Sequence, residues 1–402
     1  MSRDARLILT AAAIRATIVG FVGVTITIYL AEIRFSTAAI GVALGAGLTG
    51  GALGTVIAGF KGDALGRRRF LIANAALSAV GYAALAYARS PWTLAPLAIA
   101  GMLNGMGRDR GPASALEQAV LPQTVADGRR TWLLAWYNVA LDVGHAVGAL
   151  AAAAPVALVR LLRIDAIAAH QLSYVLCAAA TAATIVPYVQ LSADVECAAP
   201  AGEPRARLTP AARRAVGRLA MLFGIDSFGG GFLSSALIAY WFFRRFGLSE
   251  TELAALFFTA RILNTAGHVA AAWIARRVGL VNTMVVTHLP SSLFMLTAPL
   301  ASSAWLAMTL FLCREALVEM DVPTRQSYVM AIVRPSERTA ASAVTNVTRT
   351  VGWAAAPPIA GALMQHALAA PLVVGASLKI AYDIILYSVF RNVRAPEETR
   401  TP

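Results

Sequence analysis

Apolar residues run through this chain in long blocks, without the two-residue alternation of a half-buried strand. The blocks fall at about 7–30, 38–60, 70–88, 92–116, 132–158, 166–190, 216–243, 251–275, 281–301, 303–330, 339–364 and 371–390. Most reach about 20 residues, enough for a helix to cross a hydrocarbon core of about 30 Å. The pattern predicts an all-α membrane protein with twelve transmembrane helices. The block from Leu7 to Leu30 is too long for the apolar region of a signal peptide and contains Arg15, so it reads as the first membrane helix. The longest polar stretch, Leu191 to Arg214, carries Pro200, Pro204, Pro210 and several arginines. It predicts a linker (191–214) between two six-helix halves, 1–190 and 215–402.

Composition agrees: 58% of residues are hydrophobic, 14% are charged, and mean hydropathy is +0.65. In a soluble protein a net charge of +13 would suggest a nucleic-acid partner. Here the arginines sit in short loops, about twenty cations on the side of both termini against about six on the other. The expected topology is therefore multi-pass with both termini cytoplasmic, in the cytoplasmic (inner) membrane of the cell, and without nucleic acid. Trp92, Trp132, Trp241 and Trp305 fall near span ends, as interface anchors do. No metal spacing joins Cys177, Cys197 and Cys313, and free thiols are expected.

A shift of about 211 residues aligns Arg15 with Asp226, Gly20-Phe21 with Gly231-Phe232, Tyr29 with Tyr240, Arg34-Phe35 with Arg245-Phe246 and Pro112 with Pro323. Later, Asn138 meets Asn346 and Gly144 meets Gly352. Two related halves in parallel orientation are implied.

Between the second and third blocks stands Gly59-Phe60-Lys61-Gly62-Asp63-Ala64-Leu65-Gly66-Arg67-Arg68-Arg69. This loop resembles motif A of the major facilitator superfamily, G-x-x-x-D-x-x-G-R-R/K-x, with Gly59, Asp63, Gly66, Arg67 and Arg68 in register. Twelve spans, a central linker and the half-chain repeat carry the resemblance over the whole sequence. It is similar to the twelve-helix bacterial drug and metabolite exporters. Two exporter patterns are altered: Gly101 stands where the fourth helix usually has Arg, ahead of Gly105 and Gly107, and Ala149 stands where the fifth usually has Pro, after Gly144 and Gly148. The resemblance implies a secondary active transporter that moves a small solute by alternating access, with proton-coupled efflux as the first expectation and a monomer as the working unit. The alternatives are an organic-anion exchanger or uniporter using the interior arginines, and a non-transporting receptor on the same fold. For Asp63 it implies a conformational role, meeting the start of the eleventh helix near Arg338.

Charges inside apolar blocks are costly and usually line an interior or a pathway. The resemblance makes the first, fourth, seventh and tenth helices the lining of the central cavity. Arg15, Arg108, Asp109, Arg110, Asp226, Glu319, Asp321 and Arg325 fall on them and are candidates for substrate binding or coupling. Asp142 and His145 on the fifth helix, with Arg261 on the eighth, are further candidates, as an ion pair or a proton relay. Lys379 and Asp383 stand four residues apart and are expected to pair locally. Gly47 and Gly51 form G-x-x-x-G and predict close helix packing. No P-loop or nucleophile-base order is evident, and His170, His288 and His366 are scattered. No ATP-driven step, cofactor, metal site or enzymatic activity is expected.

Overall fold

A computed structural model describes residues 1–125, 130–196, 209–321, 325, 328–329, 333–334 and 337–390, except the side chains of 131, 211, 268–269, 272, 275–276, 278, 280–281 and 338–340. The stretch 197–208, most of the expected linker, lies outside the described residues, as do Cys197 and Pro323. The described chain is all helical: α1 (Arg3–Glu32), α2 (Thr37–Leu65), α3 (Arg67–Ala86), α4 (Pro91–Gly101), α5 (Pro112–Val120), α6 (Arg130–Ala151), α7 (Ala154–Leu162), α8 (Ala166–Ala183), α9 (Ile185–Val189), α10 (Pro210–Phe232), α11 (Ser235–Phe246), α12 (Glu250–Val278), α13 (Leu280–Thr297), α14 (Ala304–Val318), α15 (Arg338–His366) and α16 (Ala370–Phe390). Among the described residues, eight candidate spans are long and apolar enough to cross a membrane.

Helix starts follow local chemistry. Ser2, Ser36, Asp165, Thr209 and Ser234 each accept a backbone N–H of the helix they open. Proline occupies the first turn of α4, α5 and α10, where its missing N–H costs nothing. At the start of α12, Ser249 and Glu252 form a capping box. The Ser249 N–H donates to Glu252 Oε2 at 2.8 Å and the Glu252 N–H donates to Ser249 Oγ at 3.3 Å.

The expectation of unbroken spans fails in informative places. The block 92–116 divides into α4 and α5, because Gly101, Gly105, Gly107 and Gly111 precede Pro112 and Met102 turns left-handed at φ 52°. Ser234 likewise interrupts the seventh span between α10 and α11. In the block 303–330, α14 ends at Val318 in a turn at Glu319 and Met320, and Asp321, Arg325, Tyr328 and Val329 beyond it are helical again. Irregular backbone at membrane depth is tolerated only where protein or water satisfies it.

The residues form two compact units: 1–201 with 234–258 and 357–365, and 202–233 with 259–356 and 366–402. In the first unit α1 lies along α6 at close range. A Cβ on Gly20 would meet the His145 carbonyl, and one on Gly148 the Thr17 carbonyl. On α2 the close approach uses Gly47 and Gly50, against the carbonyls of Leu103 and Ile99, whereas Gly51 faces open space. The G-x-x-x-G expectation is corrected by one residue. At the end of α1 remote from the N-terminus, Thr27 Oγ1 donates to the Ala236 carbonyl (2.8 Å) and the Ala236 N–H to the Gly105 carbonyl (3.2 Å). Segments from late in the chain are thereby built into the first unit. The second unit packs Val216, Leu219 and Phe223 of α10 on Met284, Tyr328, Tyr382 and Leu386.

Outward faces are apolar. Val139, Val143 and Val147 form an exposed stripe along α6, and Trp92 and Trp305 are 89% and 79% exposed. Stripes of this kind suit a helix surface in contact with lipid. Trp241 departs from the anchor expectation: it is buried, edge-on to Phe242 and Phe246.

Candidate functional site

Each unit buries a knot of charged side chains. In the first, Arg15 projects from α1 toward the break between α4 and α5. The Asn104 side chain organises that break, donating to the Arg108 carbonyl at 2.7 Å and accepting from the Met106 N–H at 2.9 Å. The Asp109 N–H donates to His145 Nε2 at 2.8 Å. The carboxylate of Asp109 is thereby fixed opposite Arg15, whose Nε donates to Asp109 Oδ2 at 2.6 Å. The remaining guanidinium nitrogens grip Glu117 of α5 in a fork, at 2.9 and 2.6 Å. Tyr188 and Tyr137 hydroxyls complete the carboxylate, donating at 2.6 and 2.8 Å. Glu117 is wholly buried, and its two oxygens accept four donors. A buried charge held this completely is a brace.

In the second unit the central group is Asp226 of α10. Lys379 Nζ donates to Asp226 Oδ1 at 2.6 Å, and an Arg325 guanidinium nitrogen donates to Oδ2 at 3.1 Å. Arg325 also pairs with Asp321 at 2.8 Å. His288 of α13 extends the chain, with Nε2 3.3 Å from Lys379 Nζ and Nδ1 2.9 Å from Asp383 Oδ1. Lys379 and Asp383 therefore reach different partners in place of the local pair expected from their spacing. Three carboxylates (Asp226, Asp321, Asp383) face two cations (Arg325, Lys379), with His288 between them.

The other sequence candidates distribute as follows. Arg108 and Arg110 flank Asp109 in the broken segment, and Asp142 lies one turn before His145, all in the first unit. Arg261 and Glu319 belong to the second. Near Arg261, Asn264 donates to the Glu315 carbonyl and carboxylate at 2.8 and 2.9 Å, and Glu315 pairs with Arg314. Glu117, His288 and Lys379 were not marked as site residues by the sequence, nor were the hydroxyls of Tyr137 and Tyr188. Only intramembrane charge could have signalled the acidic and basic ones.

Motif A forms the turn from α2 to α3. Gly66 is left-handed, at φ 85°, a conformation natural to glycine. Asp63 Oδ1 accepts from Arg67 Nε at 2.7 Å, and Arg67 reaches Gln123 at 2.8 Å. Glu196, from the first residues of the expected linker, receives the N–H groups of Arg67 and Arg68 at 2.7 and 3.1 Å. A carboxylate thus caps the positive end of α3. In the second unit Glu337 does the same service for the chain entering α10, accepting the Thr209 N–H at 2.6 Å and the Arg334 N–H at 3.2 Å. These donors hold the Glu337 carboxyl below its ordinary range. Arg338, the expected neighbour of Asp63, opens α15 in the second unit, and its side chain lies outside the described residues.

The family model of the Major Facilitator Superfamily matches residues 8–357. The chain belongs to this superfamily. Members of this family are transporters rather than enzymes, and the facilitator described here is a multi-pass membrane protein. It is 24% identical over 427 residues to an uncharacterized membrane protein of Saccharomyces cerevisiae, covering 98% of this chain and 95% of the yeast one. Solved transporter structures share its fold, three of them as follows. The nucleoside transporter NupG superposes with a TM-score of 0.74 at 12% identity, over 97% of this chain and 100% of its own. A D-xylose-proton symporter gives 0.71 at 14% identity, over 95% and 97%. An auto-inhibited POT family peptide transporter gives 0.75 at 11% identity, over 100% and 99%.

Proposed function

We propose that this facilitator exports a small solute across the cytoplasmic membrane by alternating access, coupled to protons, with both termini in the cytoplasm. The halves 1–190 and 215–402 act as the moving bodies, joined by the linker 191–214, in a monomer. One observation carries the coupling: the buried chain Asp226–Lys379–His288–Asp383. Three carboxylates against two cations leave one negative charge when His288 is neutral and none when it is protonated. A single proton therefore changes the charge of this interior, which is what coupling requires. Asp226 and Asp321 are the sequence candidates inside this network, with Glu319 close by in the chain. In the first unit Arg15 is already engaged by Asp109 and Glu117, which weighs against a role in holding an anionic solute.

Reconstitution into liposomes tests this reading. A panel should include a nucleoside, a pentose and a dipeptide, as named for structural neighbours, together with lipophilic cations suited to an exporter. Flux of one solute is expected to rise several-fold when an inward-directed proton gradient opposes it, and to fall in His288→Gln. Flux indifferent to the gradient would leave a uniporter or exchanger in its place.

A further inference from the structure

At the end of the first unit remote from the N-terminus, three helix ends converge. Glu32 closes α1, His170 lies in the first turns of α8, and Glu250 opens α12. His170 Nε2 stands 2.9 Å from Glu250 Oε1, and Nδ1 stands 3.3 Å from Glu32 Oε2. One ligand atom from each residue lies within 4.8 Å of the others. His170 is 1% exposed and Glu250 is buried, while Glu32 is partly open to solvent.

Three polar atoms here have no hydrogen-bond partner: Glu32 Oε2, His170 Nε2 and Glu250 Oε2. The imidazole orientation explains why. Nδ1 lies 3.0 Å from the Ala166 carbonyl, which can only accept, so Nδ1 carries a hydrogen. In the neutral ring Nε2 is then a lone pair facing a carboxylate, a contact that becomes favourable only when a proton or a metal ion sits on Nε2. The Glu250 oxygen is near Nε2 but makes no aligned hydrogen bond with it. A ring nitrogen and a carboxylate oxygen this close without an aligned hydrogen bond can serve as two ligands of one ion. The ring is held further by stacking on Tyr29, with centroids 5.5 Å apart. Among the described residues no lysine or arginine pairs with either carboxylate. The trio carries two negative charges with neutral histidine. A proton would leave one, whereas a divalent ion would leave none.

We infer that Glu32, His170 and Glu250 form a site for a divalent transition-metal ion of the zinc class. With the ion on Nε2, Glu250 is already beside it, and the partly exposed Glu32, now 3.3 Å from Nδ1, has to turn to reach it. One imidazole and two carboxylates, with a further position open to water, suit zinc as an exchangeable rather than a closed structural site. The backbone carbonyl on Nδ1 is the usual outer partner of a metal-binding histidine. A bound ion would tie α1 and α8, from the first half of the sequence, to α12 from the second. On the transport reading above, it would hold this end shut and slow turnover.

The test is zinc binding to the purified, metal-stripped full chain without a polyhistidine tag, by calorimetry in detergent, with cobalt(II) absorption as a spectroscopic check of the ligand geometry. Micromolar zinc binding is expected, weakened at least tenfold in His170→Gln and in Glu250→Gln. Glu250→His, which keeps a ligand, should retain binding, and Glu32→Gln gives a second reading if a buried variant misfolds. Absence of binding below millimolar zinc overturns the site, as does equal binding in all variants. A pH-dependent melting temperature that vanishes in His170→Gln, with no zinc binding, would make the trio a protonated-histidine clasp and also overturn it. Because binding is read without any solute, failure of the transport reading would leave this result standing. Slowed flux with zinc, absent in Glu250→Gln, would link the two.

Discussion

The charged knots of the two units are built around corresponding positions of opposite sign. Arg15 and Asp226 are related by the shift of 211 residues, yet one is a cation held by two carboxylates and the other a carboxylate held by two cations. The surroundings differ as well. Tyrosine hydroxyls saturate the first knot, and its arginine does not release its proton in a protein. The second knot joins Asp226, Lys379, His288 and Asp383, all groups that can change protonation state. Sign inversion at one position has thus left one half with a fixed brace and the other with a titratable chain.

Breaking the brace should have the largest effect. Arg15→Ala would leave Asp109 and Glu117 buried without their cation, a loss of about 3–5 kcal/mol. The expected outcome is little monodisperse protein in fluorescence-detected size exclusion, with partial rescue when Asp109→Asn and Glu117→Gln are added. Asp226→Asn should be milder, at about 3 kcal/mol, because Arg325 keeps Asp321 and Lys379 alone loses its carboxylate. Adding Lys379→Met should recover stability, measured as melting temperature. If both single variants lose the same stability and neither is rescued, the contrast between the two knots is gone.

Smaller effects sharpen the picture outside the membrane. Glu196→Gln removes the charge at the start of α3 and should cost about 0.3–2 kcal/mol, with motif A function falling alongside. An unchanged melting temperature would show that the cap is idle. Glu252→Gln weakens the capping box of α12 and should cost under about 0.5 kcal/mol at neutral pH, because the carboxylate is exposed. Hydrogen bonds from Ser249 depress the Glu252 carboxyl. Its contribution is therefore present above the unfolded carboxylate's pKa and disappears as pH falls through the lower folded value. The difference between wild type and variant should vanish at strongly acid pH and persist at pH 7.

Much of the architecture could be read from the chain because membrane burial needs length and apolarity, which are local properties. The half repeat exposed Arg15 and Asp226 as related positions before any fold was known. Partnerships were harder, since spacing within one helix says nothing about which neighbour its charged face meets. Lys379 and Asp383 fit the i,i+4 rule, yet a histidine and an aspartate on other helices captured them. His288 and His170 looked scattered for the same reason. Glu117, a carboxylate in an apolar stretch, became interpretable only when two tyrosines from distant helices were seen to meet it. The break between α4 and α5 was written in four glycines and a proline, but hydropathy averaged over the block concealed it. Glu196 was hidden in a stretch whose composition reads simply as linker.

The most direct test of the central claim is solute-driven proton movement in liposomes loaded with a pH-sensitive dye, comparing wild type, His288→Gln and Tyr188→Phe. If the second knot carries the proton and the first is a brace, wild type and Tyr188→Phe should move protons with solute in the same ratio. Tyr188→Phe would lose only about 1.5–3 kcal/mol of stability, from a hydrogen bond to a charged group. His288→Gln should move solute with at least a tenfold smaller proton flux, or neither. Undiminished proton movement per solute in His288→Gln would contradict the account.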